Sequence, residues 1–251
     1  MHRRTAFSEL MGMLTQEQRR RFREDGYVVI PGVVAQDLLD AAREQIAELT
    51  ERNPPPEGHR GHYSHWLEDP LPGALGDLLE KSPAFEVASS LTAPRRIEWP
   101  SHAQVALTFP PHLHKPGGPH VDGITPTEDD GRPGTFTFLA GFLLTDQSHD
   151  DMGNLWVWPG THLAAAGHLR AHGPDALVES APYFPVDLPE PRQVHGQAGD
   201  LLLAHYLLAH NTGGNLAPHV RETVYFRLQT EGHRARWRDV LQDALAEFPA
   251  A

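Results

Sequence analysis

Arg221-Glu222-Thr223-Val224-Tyr225-Phe226-Arg227-Leu228 is the stretch on which the fold turns. An extended chain points successive side chains to opposite faces. Val224, Phe226 and Leu228 therefore share one face, and Arg221, Thr223, Tyr225 and Arg227 share the other. One face is apolar and the other carries two guanidinium groups. Two readings are open: an antiparallel sheet with one side in water, or a barrel whose interior is polar because it holds an ionic ligand. Residues 104–109 repeat the contrast, with Gln104, Ala106 and Thr108 opposed to Val105, Leu107 and Phe109.

Outward from these stretches, β-type runs recur at 96–99, 104–109, 135–144, 155–158, 200–205 and 221–230, separated by Gly and Pro turns. Short strands punctuated in this way predict a sandwich or barrel. Upstream the pattern is helical. Thr15 and Gln18 have the spacing of a capping box, and Gly26 stands where a helix through Phe22 would end. Tyr27-Val28-Val29-Ile30 reads as a strand stopped by Pro31, and Leu38, Leu39, Ala42, Ile46 and Leu49 then recur at helical spacing. Residues 57–72 read as a loop or lid, whose His59, His62 and His65 are surface residues, or line a substrate entrance, or bind zinc adventitiously. Ser82 and Pro83 predict the N-cap and first residue of a short helix through Leu91, and Trp237, Val240, Leu241 and Leu245 predict a closing amphipathic helix. The expected organisation is a single domain over 1–251, with a mainly helical flank and lid over 1–93, a β core over 94–232 and a C-terminal helix over 233–251.

Composition narrows the function. Lys and Arg total 21 against 33 Asp and Glu, a formal charge of −12 over 251 residues. That sign disfavours partners presenting a phosphate backbone or anionic lipid, so a small-molecule substrate is expected, with no nucleic acid and no membrane. The absence of cysteine excludes disulfide frameworks, thiolate metal sites and cysteine nucleophiles. Any metal must sit on nitrogen and oxygen, and 17 histidines supply the nitrogen. No apolar run is long enough to span a bilayer and the first thirty residues hold no apolar leader, so the expected location is cytoplasmic.

His120-Val121-Asp122 carries the chemistry. In an extended segment His120 and Asp122 point to the same side, so an imidazole nitrogen and a carboxylate oxygen can reach one ion. Gly123 lets the backbone turn directly after them. The third candidate ligand is His210, late in the β region, where a closing barrel would return. Two imidazoles and one carboxylate on one face of a metal leave other positions open, the arrangement of non-haem Fe(II) oxygenases. Arg221 follows on the polar face, where its planar fork of donors can anchor a dicarboxylate cosubstrate.

With these residues in place the sequence resembles the phytanoyl-CoA dioxygenase family of Fe(II)- and 2-oxoglutarate-dependent oxygenases. The resemblance runs over nearly the whole chain. It rests on Leu14 through Gln18, on Asp25-Gly26-Tyr27-Val28-Val29-Ile30-Pro31-Gly32, on Gly153-Asn154-Leu155-Trp156-Val157-Trp158-Pro159-Gly160-Thr161-His162, and on the His120, Asp122, His210 and Arg221 pattern. It implies a mainly β fold with flanking helices, built on a double-stranded β-helix, the jelly roll of the cupins. It implies Fe(II), 2-oxoglutarate and O2, with succinate and CO2 released. Arg221 would take the 2-oxoglutarate carboxylate, with Thr212 assisting and Gln104 and Thr108 as neighbours, and Asn215 belongs to the same His-to-Arg motif. Halogenating members carry a small residue in place of the acidic ligand, so Asp122 favours hydroxylation or a related oxidation.

The remaining histidines and aromatic residues have plainer readings beside the functional ones. His112 and His114 read as a solvated loop, since no third ligand accompanies them. His205 is either a barrel residue near His210 or a core histidine, and Trp156, Trp158 and Phe138 are core residues or part of a substrate wall. The expected substrate is an amino-acid derivative or natural-product intermediate, and the acidic balance argues against a CoA ester. Desaturation, cyclisation or epimerisation at the same site is the alternative outcome. The alternative of another class is a non-catalytic or 2-oxoglutarate-independent, cupin-like metal protein.

Overall fold

The structure, a computed structural model, describes residues 13–68, 73–125 and 127–249. Helix α1 (Gln16–Asp25) begins at the expected capping box: the Gln18 amide donates to the Thr15 hydroxyl at 3.1 Å, and the Thr15 amide donates to the Gln18 side chain at 2.8 Å. It ends at Gly26, whose φ of 84° is left-handed and whose missing Cβ leaves room for the His162 ring. Strand β1 (Tyr27–Ile30) and helix α2 (Gln36–Arg52) follow as expected. Then come β2 (Gly61–Glu68), α3 (Gly73–Glu80) and α4 (Ala84–Thr92); the last has Pro83 at its N-cap, one residue later than expected, and the Ser82 hydroxyl just before it accepts from the Ala84 amide.

The β region comprises β3 (His102–Phe109), β4 (Phe138–Leu143), β5 (Leu155–Val157), β6 (Arg192–Gln193), β7 (Leu201–His205), β8 (His210–Thr212) and β9 (Arg221–Leu228). Helices α5 (Thr161–His172) and α6 (Ala176–Glu179) lie between β5 and β6, and α7 (His233–Val240) follows β9. Six strands form an antiparallel sheet in the order β1-β7-β4-β9-β3-β2, and three form a second in the order β6-β5-β8. Residues of both sheets line one cavity, so the sheets face each other across it in the plan of a jelly roll. Among the described residues no helix is long and apolar enough to cross a membrane.

Period-two alternation divides the core. Val105, Leu107, Phe138, Phe142, Leu203, Val224 and Phe226 face outward from the large sheet and pack under α1 to α4 against Phe22, Leu39, Ile46, Leu78 and Val87. Each such side chain contributes about 1.5–3 kcal/mol relative to exposure. A second cluster joins inward residues such as Ala106, Leu139, Leu202 and Tyr225 to Leu155, Val157 and residues of α5 to α7.

Three expectations need correction. Residues 57–72 are not simply a loop or lid: Gly61–Glu68 is an edge strand paired along its whole length with β3. Its side chains conceal the alternation, because a histidine, His65, sits on the face packed under the helices while an indole, Trp66, lies on the cavity side and is exposed. Residues 69–72 of that stretch lie outside the described residues. The run at 96–99 contributes only the bridge between Ile97 and Thr230, and the last helix stops at Val240 with turns beyond.

Candidate metal and cosubstrate site

The cavity measures about 1110 Å³, and its main wall is a ladder of side chains across β2, β3 and β9. Strand register sets the rungs. Glu68 pairs with His102, Trp66 with Gln104 and then Tyr225, Ser64 with Ala106 and then Thr223, and His62 with Thr108 and then Arg221. The polar face foreseen for β9 is therefore the cavity face.

The opposite side holds His120, Asp122 and His210, whose nearest potential ligand atoms all lie within 4.8 Å of one another. Backbone pairing brings the two histidines together: His120 N donates to His210 O at 3.0 Å, and His210 N donates to His120 O at 3.1 Å. Their rings stand 4.3 Å apart between centroids. His210 Nδ1 donates to the Leu208 carbonyl at 2.8 Å, which fixes the proton on that nitrogen and leaves the Nε2 lone pair free, 3.9 Å from Asp122 Oδ2. Burial, helped by His210 and His62 and opposed by Asp122, holds the His120 pKa down to about 4. Its ring is thus neutral at physiological pH, the form that ligates a metal.

Arg221 lies at the deep end of the ladder and is only 2% exposed. Its Nη2 donates to the Tyr225 hydroxyl at 2.7 Å, Nη1 to the Ala106 carbonyl at 3.2 Å and Nε to Gln147 Oε1 at 3.3 Å. All three acceptors are neutral. Among the described residues no carboxylate forms an ion pair with this guanidinium, although a buried cation normally requires a countercharge. Thr108, opposite it on β3, is fully buried, and its hydroxyl has no hydrogen-bond partner. Gly153, at φ 82°, lies against both: a Cβ there would stand 2.6 Å from Arg221 Cβ and 3.3 Å from Thr108 Cβ. His62 faces the same end, where burial, the Arg221 charge and His59 lower its pKa to about 4.

Of the residues singled out in the sequence, the structure brings His120, Asp122, His210, Arg221, Thr212 and Gln104 around one cavity, with Thr108 just beneath. Four others lie elsewhere. Phe138 is one residue out of phase with the cavity-facing Leu139 and packs against Phe248. His205 is buried outside the cavity, its Nδ1 accepting from the Leu207 amide and its Nε2 meeting the Ala244 carbonyl. Trp158 is buried past the end of β5, its amide bonded to Ala209 O. Asn215 braces the floor from behind, donating to Thr108 O at 2.7 Å and His219 O at 2.9 Å. Sequence reading assigned no individual role to Trp66, Tyr225 or Arg227, and placed His62 in a surface loop or at a substrate entrance. The alternation that put Tyr225 and Arg227 on the face of Arg221 was the signal that could have found two of them.

The family model for phytanoyl-CoA dioxygenase (PhyH) matches residues 22–223, most of the chain and all of these site residues except Tyr225 and Arg227. The chain belongs to the phytanoyl-CoA dioxygenase family. As a member it is a non-haem enzyme dependent on iron and 2-oxoglutarate. Solved structures share its fold. HygX from Streptomyces hygroscopicus, with nickel and 2-oxoglutarate bound, is 20% identical with a TM-score of 0.60, over 86% of this chain and 87% of that one. The 2-oxoglutarate-dependent epimerase SnoN of nogalamycin biosynthesis is 20% identical at 0.62, over 85% and 80%. The carbocyclase SnoK of the same biosynthesis is 22% identical at 0.59, over 89% and 90%. No curated protein sequence matches the chain. The family's two groups fit the residues present: a donor set of two imidazoles and a carboxylate suits Fe(II), and an uncompensated guanidinium beside an unpartnered hydroxyl suits a carboxylate.

Proposed function

We propose that this protein holds Fe(II) on His120, Asp122 and His210, anchors the distal carboxylate of 2-oxoglutarate on Arg221, and hydroxylates a small molecule bound in the same cavity. The observation that carries the reading is Arg221, a buried cation with no countercharge among the described residues, which opens into the cavity shared by the three ligand residues. Thr108 would donate its spare hydroxyl to the same carboxylate, and Thr212 lies on the wall beside His210. When bound, iron and 2-oxoglutarate together supply the oxidation by O2, with succinate and CO2 released.

The chain's own residues orient and exclude. The hydrogen bond to Leu208 aims His210 Nε2 at the ion position, and backbone pairing fixes its spacing from His120. Leu139, Leu155 and Val121 supply apolar wall around it, which keeps bulk water from the reacting centre. The volume of about 1110 Å³ leaves ample room beyond 2-oxoglutarate, which supports an amino-acid derivative or natural-product intermediate as substrate. HygX and SnoN have been crystallised with hygromycin B and nogalamycin RO respectively; that likeness is one of fold, and the cavity is what argues for this chain.

The test is a thermal-shift matrix on metal-stripped protein, with Mn(II) as a redox-silent substitute, 2-oxoglutarate, both together, and succinate as control. The expected result is a stabilisation that needs metal and 2-oxoglutarate jointly. Metal stabilisation without any response to 2-oxoglutarate would replace the proposal with the cosubstrate-free, cupin-like reading.

A further inference from the structure

The outer end of the ladder holds a second arginine that the proposed reaction leaves unused. Ala103 pairs with Phe226, so the next rung places His102 between Glu68 and Arg227. Arg227 is held from three directions. Its guanidinium carbon lies 5.4 Å from the centroid of the Trp66 ring and 5.2 Å from that of Phe136, and its Nη1 donates to the Thr125 carbonyl at 2.9 Å. Rings against a guanidinium restrict it to binding in its own plane. Thr125 occupies one in-plane direction. Nη2 lies 3.7 Å from Asp122 Oδ1, beyond a normal hydrogen bond, so among the described residues the rest of the fork has no acceptor and opens into the cavity.

Charge specifies the missing partner. In the proposed complex, Fe(II) and Arg221 contribute three positive charges, while Asp122 and 2-oxoglutarate contribute three negative ones. Arg227 is then left with one uncompensated positive charge beside the reaction centre. Glu68 stands at the far end of the rung on the edge strand, where it is exposed and water screens it. A planar, singly charged oxyanion satisfies both the fork and the charge, whereas a phosphate ester would add up to two negative charges.

We propose that Arg227, clamped by Trp66 and Phe136, is a specificity-determining residue that binds a carboxylate of the primary substrate. The proposal rests on the reading of the iron and 2-oxoglutarate site, and it selects the amino-acid derivative among the substrate classes above. The carboxylate lies at the cavity mouth beside Asp122, and the rest of the molecule extends over the exposed face of Trp66 and along Ile124.

The test titrates aliphatic N-acetyl amino acids, their methyl esters and the matching O-phosphorylated alcohols into the protein, read by tryptophan fluorescence with and without Mn(II) and 2-oxoglutarate. Each acid is expected to bind at least about tenfold more tightly than its ester, as a charge-assisted bidentate contact requires. In Arg227→Gln that ratio is expected to fall to about one, and Arg227→Lys is expected to recover part of it. The ratio is internal to each variant, so a change in metal loading does not imitate the result. Equal binding of acids and esters, preference for the phosphates, a ratio that survives in Arg227→Gln, or no binding by any acid would each overturn the proposal. Failure of the iron and 2-oxoglutarate reading shows separately, as the absence of the joint thermal shift.

Discussion

Replacing Arg221 with methionine separates the cost of a buried cation from its use. In the wild type the guanidinium is 2% exposed and bonded only to neutral oxygens, so its desolvation is poorly repaid until a carboxylate arrives. Methionine relieves that cost but strands the acceptors on Tyr225, Ala106 and Gln147. The two effects oppose each other, and the ligand-free melting temperature is expected to move little. Binding of 2-oxoglutarate should change far more, because truncating one side of a buried charge pair costs about 2–5 kcal/mol, at least tens of fold in affinity. At a 2-oxoglutarate concentration about 100 times the wild-type dissociation constant, with Mn(II) present, the wild type gains about 2.7 kcal/mol, or roughly 5–10 °C for a chain of this size. A variant weakened about a hundredfold gains only about 0.4 kcal/mol at the same concentration, close to 1 °C. A full wild-type shift in Arg221→Met, at equal metal occupancy, would refute the assignment of Arg221 to the cosubstrate.

Asp122→Ala should abolish both the Mn(II)-dependent stabilisation and turnover; wild-type turnover in the metal-reconstituted variant would remove Asp122 from the ligand set. Gly153→Ala places a Cβ 2.6 Å from Arg221 Cβ at a φ of 82°, so it should destabilise the fold by at least about 1 kcal/mol and weaken 2-oxoglutarate, both measurable in one melting series. Glu247 is a buried carboxylate: burial alone would raise its pKa, but bonds from His233, Thr230 and Thr137 outweigh burial and bring it to about 2 from 4.5. Its folded pKa is depressed, so the unfolded chain binds the proton first. The stabilisation, on the order of 3 kcal/mol, is present above about pH 5 and lost as pH falls towards 2. Glu247→Gln should flatten this part of the acid unfolding curve; an identical wild-type and variant difference at pH 3 and pH 7 would count against it.

The sequence disclosed what depends on local pattern. The Thr15 and Gln18 box, the helix starting just after Ser82, the alternation in 221–228 and the shared face of His120 and Asp122 are set by neighbours within a few residues, and all appear in the structure. Partners distant in sequence were legible only through the family resemblance or not at all. Strand β2 exists because β3 offers it a full register, and its own residues do not sort by polarity. Phe138 and Asn215 show the converse: lying close to the site in sequence or motif did not fix which way their side chains point. A single step along a strand separates the cavity from the packing under α1 to α4, so Leu139 lines the wall while Phe138 supports it.

The reciprocal backbone pair between His120 and His210 makes the proposed metal site also a seam of the sheet edge. Two amides that close this seam belong to two residues that would grip the ion, so loading the metal would tie the same segments twice. Hydrogen exchange at these two positions should therefore slow on metal binding by more than at the outer strands. For an engineer this couples two quantities usually tuned apart. A change that loosens the seam to admit a larger substrate also loosens the grip on the ion, whereas remodelling the β2 edge leaves that seam closed.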